Sequence, residues 1–281
     1  MARREWTREE LIVAFNLYCK TPFGKIHIRN PSIIELARAI GRTPSAVSWK
    51  LANFARLDPE RVPHDLQRTR PTTVTIPPQP NGSTQGAALQ KRKIAGASHG
   101  AQAEVEVWEE FNDNWEQLAF ESERLLEKIT RSGHEVAEEM EQFPEGRTRE
   151  AIVRTRVNQG FFRSAVLAAY GVRCCITGLS IPQLLNASHI VPWAVDIKNR
   201  TNPRNGLCLN VIHDRAFDCG LLTVAPDLTV KLSPKVKAKS ADVAVTELLC
   251  RYEDVSITVP RRFPPDTEYL RFHNEKVFLR S

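Results

Sequence analysis

Apolar positions recur at helical spacing through the first sixty residues. Leu11, Phe15 and Tyr18 follow Thr7-Arg-Glu-Glu10, which has capping-box form, so a helix from about Thr7 to Tyr18 is predicted. Pro31 stands where a second helix begins and Gly41 where it ends. A third helix opens at Thr43-Pro44 and places Val47, Leu51 and Phe54 on a buried stripe. Its other face carries Ser45, Ser48, Trp49, Lys50, Asn53 and Arg56. Two short helices joined by Gly-Arg-Thr-Pro have the build of a helix-turn-helix, whose second helix enters the major groove. Lys50, Asn53 and Arg56 are therefore candidate DNA contacts. A helix pair that never touches DNA is the plainer alternative.

From about Arg70 to Gly100 the composition shifts to Pro, Thr, Gln, Gly, Ser and Ala. Such a segment buries too little apolar surface to offset its chain entropy, so 71–100 is predicted to be a flexible linker. Lys91-Arg92-Lys93 within it reads as a solvated run, with phosphate contact as the alternative. Residues from about Ala103 to Gln142 read as one long acidic helix, or a pair broken near Ser132-Gly133. Trp108, Phe111, Trp115, Leu118, Leu125 and Ile129 recur there as a coiled-coil-like seam with Ser122 in one gap. That stripe either packs on the same chain or joins a homodimer through residues 103–142.

Arg156 to Tyr170 forms a further helix stopped by Gly171, and 172–178 a short strand and turn. Alternating segments at 220–225 and 229–232, parted by Pro-Asp, signal a hairpin, and 255–259 another strand. Arg261-Arg262 falls in a loop, where the pair is placed to contact DNA. The closing run from Tyr269 packs back on the core, and His273 is given no catalytic role. The boundaries drawn are a helical DNA-binding part at 1–70, the linker at 71–100, an acidic helical part at 101–145 and a mixed part at 146–281.

Charge sharpens this division. The net +6 splits into +6 for residues 1–70, +3 for 71–100, −11 for 101–145 and +8 for 146–281. Two basic blocks flank an acidic one, a distribution suited to holding a phosphate backbone. The six cysteines contain no CxxC pair, so no structural zinc is expected, although Cys174, Cys175, Cys208 and Cys219 fall in one region. No apolar run reaches the length of a membrane span, and the opening Met-Ala-Arg-Arg-Glu-Trp is unlike a signal peptide. A cytoplasmic location is the expectation.

The residues that carry chemistry crowd into 187–220. Ser-His-Ile-Val-Pro-Trp at 188–193 precedes Asn-Gly-Leu-Cys-Leu at 205–209 and His-Asp-Arg-Ala-Phe-Asp at 213–218. Breaking a phosphodiester needs a group of near-neutral pKa to take a proton from water, and His189 is the candidate general base. It also needs charge stabilisation, which a hard divalent ion on oxygen ligands supplies. Asp214 and Asp218 lie one turn apart if this segment is helical, and both then reach one ion. A lone histidine before Ile-Val-Pro is more often a packed one, and Asn-Gly is a common turn; the ordered combination is the restrictive feature.

That combination resembles the HNH nucleases of the ββα-metal superfamily. The resemblance implies an α+β fold with the base on one strand, the asparagine on the second and the metal ligands on the following helix. It casts His189 as base and Asn205 as the residue that orients it and braces the loop between the strands. Asp214, nine positions after Asn205, takes the place of the usual third letter, with Asp218 and the adjoining His213 as further ligands of one divalent ion (Mg²⁺, Mn²⁺ or Ni²⁺). Ser188 stands where many relatives carry another ligand. The run Asn158-Gln159 through Phe162-Arg163, with Tyr170 and Cys175-Ile-Thr-Gly178, is similar to the approach to the HNH domain in restriction-associated families. Residues 1–60 resemble their N-terminal module more loosely. Arg163 is a phosphate candidate, with a helix-packing ion pair as its alternative. The implied activity is metal-dependent cleavage of double-stranded DNA in restriction or phage defence. A non-cleaving DNA-binding regulator with a degraded site, and an RNase or nuclease toxin, are the alternatives.

Overall fold

The computed structural model describes residues 4–58, 99–131 and 149–279. Most of the expected linker, with Lys91-Arg92-Lys93, and the expected break at Ser132-Gly133 lie outside them. Thr7 and Glu10 form the anticipated reciprocal cap, which starts α1 (Arg8–Lys20). Asn30 caps α2 (Pro31–Ala39) and Thr43 caps α3 (Pro44–Leu57), each with proline opening the helix.

The acidic block folds as α4 (His99–Phe111) and α5 (Trp115–Arg131). They part at 112–114, a break the sequence reading did not anticipate, where Asp113 takes a φ of 69°. Asn-Asp-Asn is turn chemistry, and aspartate tolerates this left-handed conformation better than most residues. Next comes α6 (Arg149–Ala169), which ends where Gly171 turns the chain at φ 62° and Val172 N–H returns to the Leu167 carbonyl.

The remainder is α+β. Strands β1 (Leu185–His189) and β2 (Gly206–Asn210) pair antiparallel and lead into α7 (Val211–Asp218). A second hairpin, β3 (Leu222–Val224) with β4 (Val230–Leu232), follows, then α8 (Pro234–Lys237), α9 (Val243–Leu248) and α10 (Thr267–Lys276). Two expected strands are not formed. Residues 172–178 make turns, with Cys175 N–H donating to the Cys208 carbonyl, and 255–259 contributes a single bridge, Thr229 to Ser256.

Two hydrophobic cores share α6. Phe161 and Ala165 belong to the first, around α1, and Phe162 and Val166 to the second, around the β1–β2 hairpin. The first draws α1–α3 and α4–α5 together: Phe111, Trp115, Leu118 and Leu125 are all buried in it. The stripe considered as a homodimer seam is thus occupied by the chain itself, mainly by α1 and α6. Charge follows the same logic. Arg8 pairs with Glu110 and Glu121 at 2.6 and 3.0 Å, and Lys50 pairs with Glu104, so part of the basic N-terminal charge is matched by the acidic helices.

Arg262 corrects another expectation. It is buried, donates to the carbonyls of Tyr18, Cys19 and Thr21 at 2.6, 3.0 and 3.0 Å, and lies over the Tyr18 ring. It satisfies carbonyls at the end of α1 and ties the C-terminal part to the helical core, and its burial withdraws the guanidinium from the surface where DNA would lie.

His273 on α10 is enclosed in the second core. Its Nε2 donates to the Phe217 carbonyl at 3.2 Å, its Nδ1 accepts from the Thr223 hydroxyl at 2.8 Å, and its ring stacks on Phe217. Burial pushes it down to about 4 from an ordinary 6.5. The unfolded chain therefore binds the proton more readily between those values, and stability falls as pH drops from about 6.5 through about 4. The full difference is on the order of 3 kcal/mol. Urea unfolding at pH 7 and pH 4.5 should show a larger loss for the wild type than for His273→Gln. Equal losses would remove this histidine as the cause.

Candidate active site

β1 ends at His189, whose cross-strand partner is Gly206. A Cβ at Gly206 would come within 2.4 Å of Val166 and 2.9 Å of Phe162, so only glycine lets the hairpin press this closely on α6. The same Phe162 ring stacks on the His189 imidazole, with centroids 3.7 Å apart, and Trp193 meets its edge. His189 Nε2 lies 2.9 Å from the Arg200 carbonyl. A carbonyl can only accept, so Nε2 carries the proton and Nδ1 of the neutral ring is an unprotonated base. Burial, seconded by the Arg200 charge, lowers the pKa of His189 below 6.5, against the opposing effect of the carbonyl contact.

Asn205 sits just ahead of β2, in a short 3₁₀ turn, rather than on the strand. It is buried; its Oδ1 accepts from Val191 N–H at 2.8 Å, and its Nδ2 donates to the carbonyls of Val191 and Asn199 at 3.2 and 3.4 Å. These bonds close the loop that carries the Arg200 carbonyl, so Asn205 is linked to the His189 ring through the backbone.

Asn210 caps α7 by accepting from Ile212 and His213 N–H. Asp214 then faces β1: its Oδ1 accepts from the Ser188 hydroxyl and its Oδ2 from Asn186 Nδ2 at 2.7 Å. Asp218, one turn on, is pushed above the usual carboxylate range by burial and by the Asp214 charge, with Arg215 opposing. His189, Asp214 and Asp218 line one cleft of about 570 Å³, together with Arg163, Gln159 and Trp193.

His213 is not part of that grouping. Adjacent residues on a helix point about 100° apart, and His213 is buried on the other flank of α7. There its Nε2 donates to the Leu248 carbonyl at 2.8 Å and its ring meets Tyr252. It lines a separate groove with Leu248 and Tyr252, which corrects its assignment as a metal ligand.

The DNA-contact candidates divide too. The Lys50 ammonium is held by Glu104 and lies over the Trp6 ring, and Asn53 donates to the same carboxylate at 3.1 Å, so both are committed to packing α3 on α4. Arg56 is exposed. Arg163 is exposed on the cleft wall and makes no helix-packing ion pair among the described residues. It donates to the Leu185 carbonyl at 2.8 Å and approaches Asn186 Oδ1 at 3.5 Å. Sequence reasoning missed Asn186 and gave Ser188 no task. Their alternation along β1 was the available signal, since residues two apart share a face.

Among the described residues no group of three or more His, Cys, Asp or Glu converges in the manner of a closed protein cage. The cleft nevertheless suits a hard cation. Two carboxylates close enough to raise the pKa of one of them experience a repulsion that a divalent ion relieves, and their oxygens are the donors such an ion prefers.

Here a strand pair feeds a helix, with a histidine closing the first strand and two aspartates on the helix. Consistent with this, residues 174–225 match the sequence model of a family described as HNH endonuclease, and this segment is an HNH domain. The match spans under a fifth of the chain. No curated protein matches the sequence. The match supports a nuclease-type function for this segment, which implies nucleic acid as the substrate class. No helix among the described residues is long and apolar enough to cross a membrane.

Proposed function

We propose that this protein is a metal-dependent DNA endonuclease. The observation that carries the reading is the convergence of the His189 imidazole with Asp214 and Asp218 on one cleft, with the Arg163 guanidinium on its wall. Nδ1 of His189 takes a proton from water as the water oxygen bonds to phosphorus; the P–O3′ bond breaks with its electron pair on O3′, which takes a proton from solvent, and the imidazolium returns its proton to solvent, leaving a 5′ phosphate and a 3′ hydroxyl. Arg163 spends part of its five-donor fork on the Leu185 carbonyl, which fixes the group while other N–H donors remain for a phosphate oxygen. A divalent ion held by Asp214 and Asp218, with its other positions open to water and phosphate oxygens, would supply Lewis-acid stabilisation of the developing charge.

Restriction or phage defence is the biological setting we favour, by analogy with proteins of this build. The non-cleaving alternative draws on Ser188, which occupies a common ligand position, and on both Asp214 oxygens already accepting hydrogen bonds. Incubating labelled duplex DNA and RNA, with plain, methylated and hydroxymethylated DNA among the substrates, in Mg²⁺, Mn²⁺ or Ni²⁺ separates the readings. Metal-dependent cuts in DNA are expected. Binding without cuts would establish the regulator, and cuts confined to RNA the third reading.

A further inference from the structure

A second groove, of about 470 Å³, opens beside the catalytic cleft. Lys20 and Thr21 at the end of α1, Lys25, His27 and Asn30 in the connection to α2, and Ser164 of α6 line it. The connection is built rather than loose. Lys25 N–H donates to the Pro22 carbonyl at 2.8 Å, the Lys25 carbonyl accepts from Asn30 Nδ2 at 2.8 Å, and Arg29 N–H donates to His27 Nδ1 at 3.3 Å. Lys25, His27 and Arg29 are all exposed, and among the described residues Lys25 forms no ion pair. Lys20 is the more enclosed of the two, over the Phe161 ring, with Glu123 as its nearby acid. The backbone that carries Lys25 is thus fixed while its ammonium has no acidic partner among the described residues, and Lys20 lies between the Phe161 ring and Glu123.

Helix α6 is the shared wall. Arg163 lines the cleft and Ser164, the next residue, lines the groove, so the two openings occupy neighbouring faces of one helix. A helix with its side chains is about 10–12 Å across. Duplex DNA carries a charge every ~1.7 Å of its axis, so a duplex seated in the cleft presents several further phosphates over that distance.

We propose that Lys20, Lys25 and His27 hold the phosphate backbone of the same duplex on the flank of the cleft. This contact lengthens the footprint and reads no bases. It rests on the nuclease reading for its substrate, and it moves the contact surface of the N-terminal helices from the Lys50 face of α3 to the connection between α1 and α2.

The test measures the affinity of the full-length protein for a 40-base-pair duplex, across a salt series in EDTA. Lys25→Ala should lower the slope of log affinity against log salt by about 1, and Lys20→Ala with Lys25→Ala by about 2. Lys25→Arg should restore the wild-type slope, and Lys239→Ala, an exposed lysine just after α8 that does not line the groove, should leave it unchanged. A wild-type slope in Lys25→Ala, or an equal loss in Lys239→Ala, overturns the proposal. Cleavage by the wild type is followed in parallel: its absence counts against the nuclease reading, whereas the slopes still decide the groove.

Discussion

His189→Ala is expected to slow single-turnover cleavage by about 10²–10⁴-fold, the range for loss of a positioned general base, with DNA affinity nearly unchanged. The expectation follows from tautomer and burial together. The Arg200 carbonyl fixes the proton on Nε2, and desolvation beside Phe162 and Trp193 keeps the ring neutral, so the base is ready at neutral pH. The sign of its pH dependence is set by the same burial. Protonation abolishes the base, and the folded-state pKa lies below the ordinary 6.5, so the acid limb of the rate profile should fall below that value and flatten above it. A profile that breaks above 6.5, or an alanine variant with the wild-type rate, would sink the assignment. Removing the ring also leaves Phe162 unstacked, so the variant's melting temperature should be compared with that of Phe162→Leu. The rate loss must exceed whatever instability the two share.

What could be read in advance depended on whether a property was local. The capping box at Thr7, the helix starts at Pro31 and Thr43-Pro44, and the i, i+4 aspartates of α7 are short-range features written in consecutive residues, and the structure shows them where the pattern put them. The grouping of His189 with Asp214 and Asp218 followed from the ordered spacing of the HNH resemblance, not from any single residue. The failures concern partners distant in the chain. Lys50 and Asn53 look like a recognition face until Glu104 of α4 is folded onto them, and Arg262 looks like a surface cation until it is seen at the end of α1. His213 failed for a different reason: proximity in sequence to Asp214 was read as proximity in space, and one helical step of about 100° turns it out of the cleft and onto Leu248 and Tyr252. Charge blocks misled in the same way, because the −11 of residues 101–145 is spent partly against Arg8 and Lys50.

Asp214→Asn should cost more than loss of one negative charge. Ser188 Oγ and Asn186 Nδ2 both donate to the Asp214 carboxylate, one to each oxygen. An asparagine offers only one acceptor oxygen, so its amide would set a donor against one of those two donors, and the side chain would have to turn away from the cleft. The expected result is at least a ~100-fold increase in the metal concentration needed for half-maximal cleavage, with Ser188→Ala and Asn186→Ala showing smaller rises of about 10-fold, as for groups that orient a ligand. Titration calorimetry with Mn²⁺ on the protein alone reads the same affinities without requiring turnover. The substitution also removes the charge that helps raise Asp218, so the Asp218 carboxyl should titrate closer to its ordinary 3.8, an effect that carbon-detected NMR of the side chain follows directly. Asp214→Asn with wild-type metal affinity and an unmoved Asp218 would mean that the two carboxylates do not share an ion, and the cleft would then have to bind phosphate through Arg163 alone.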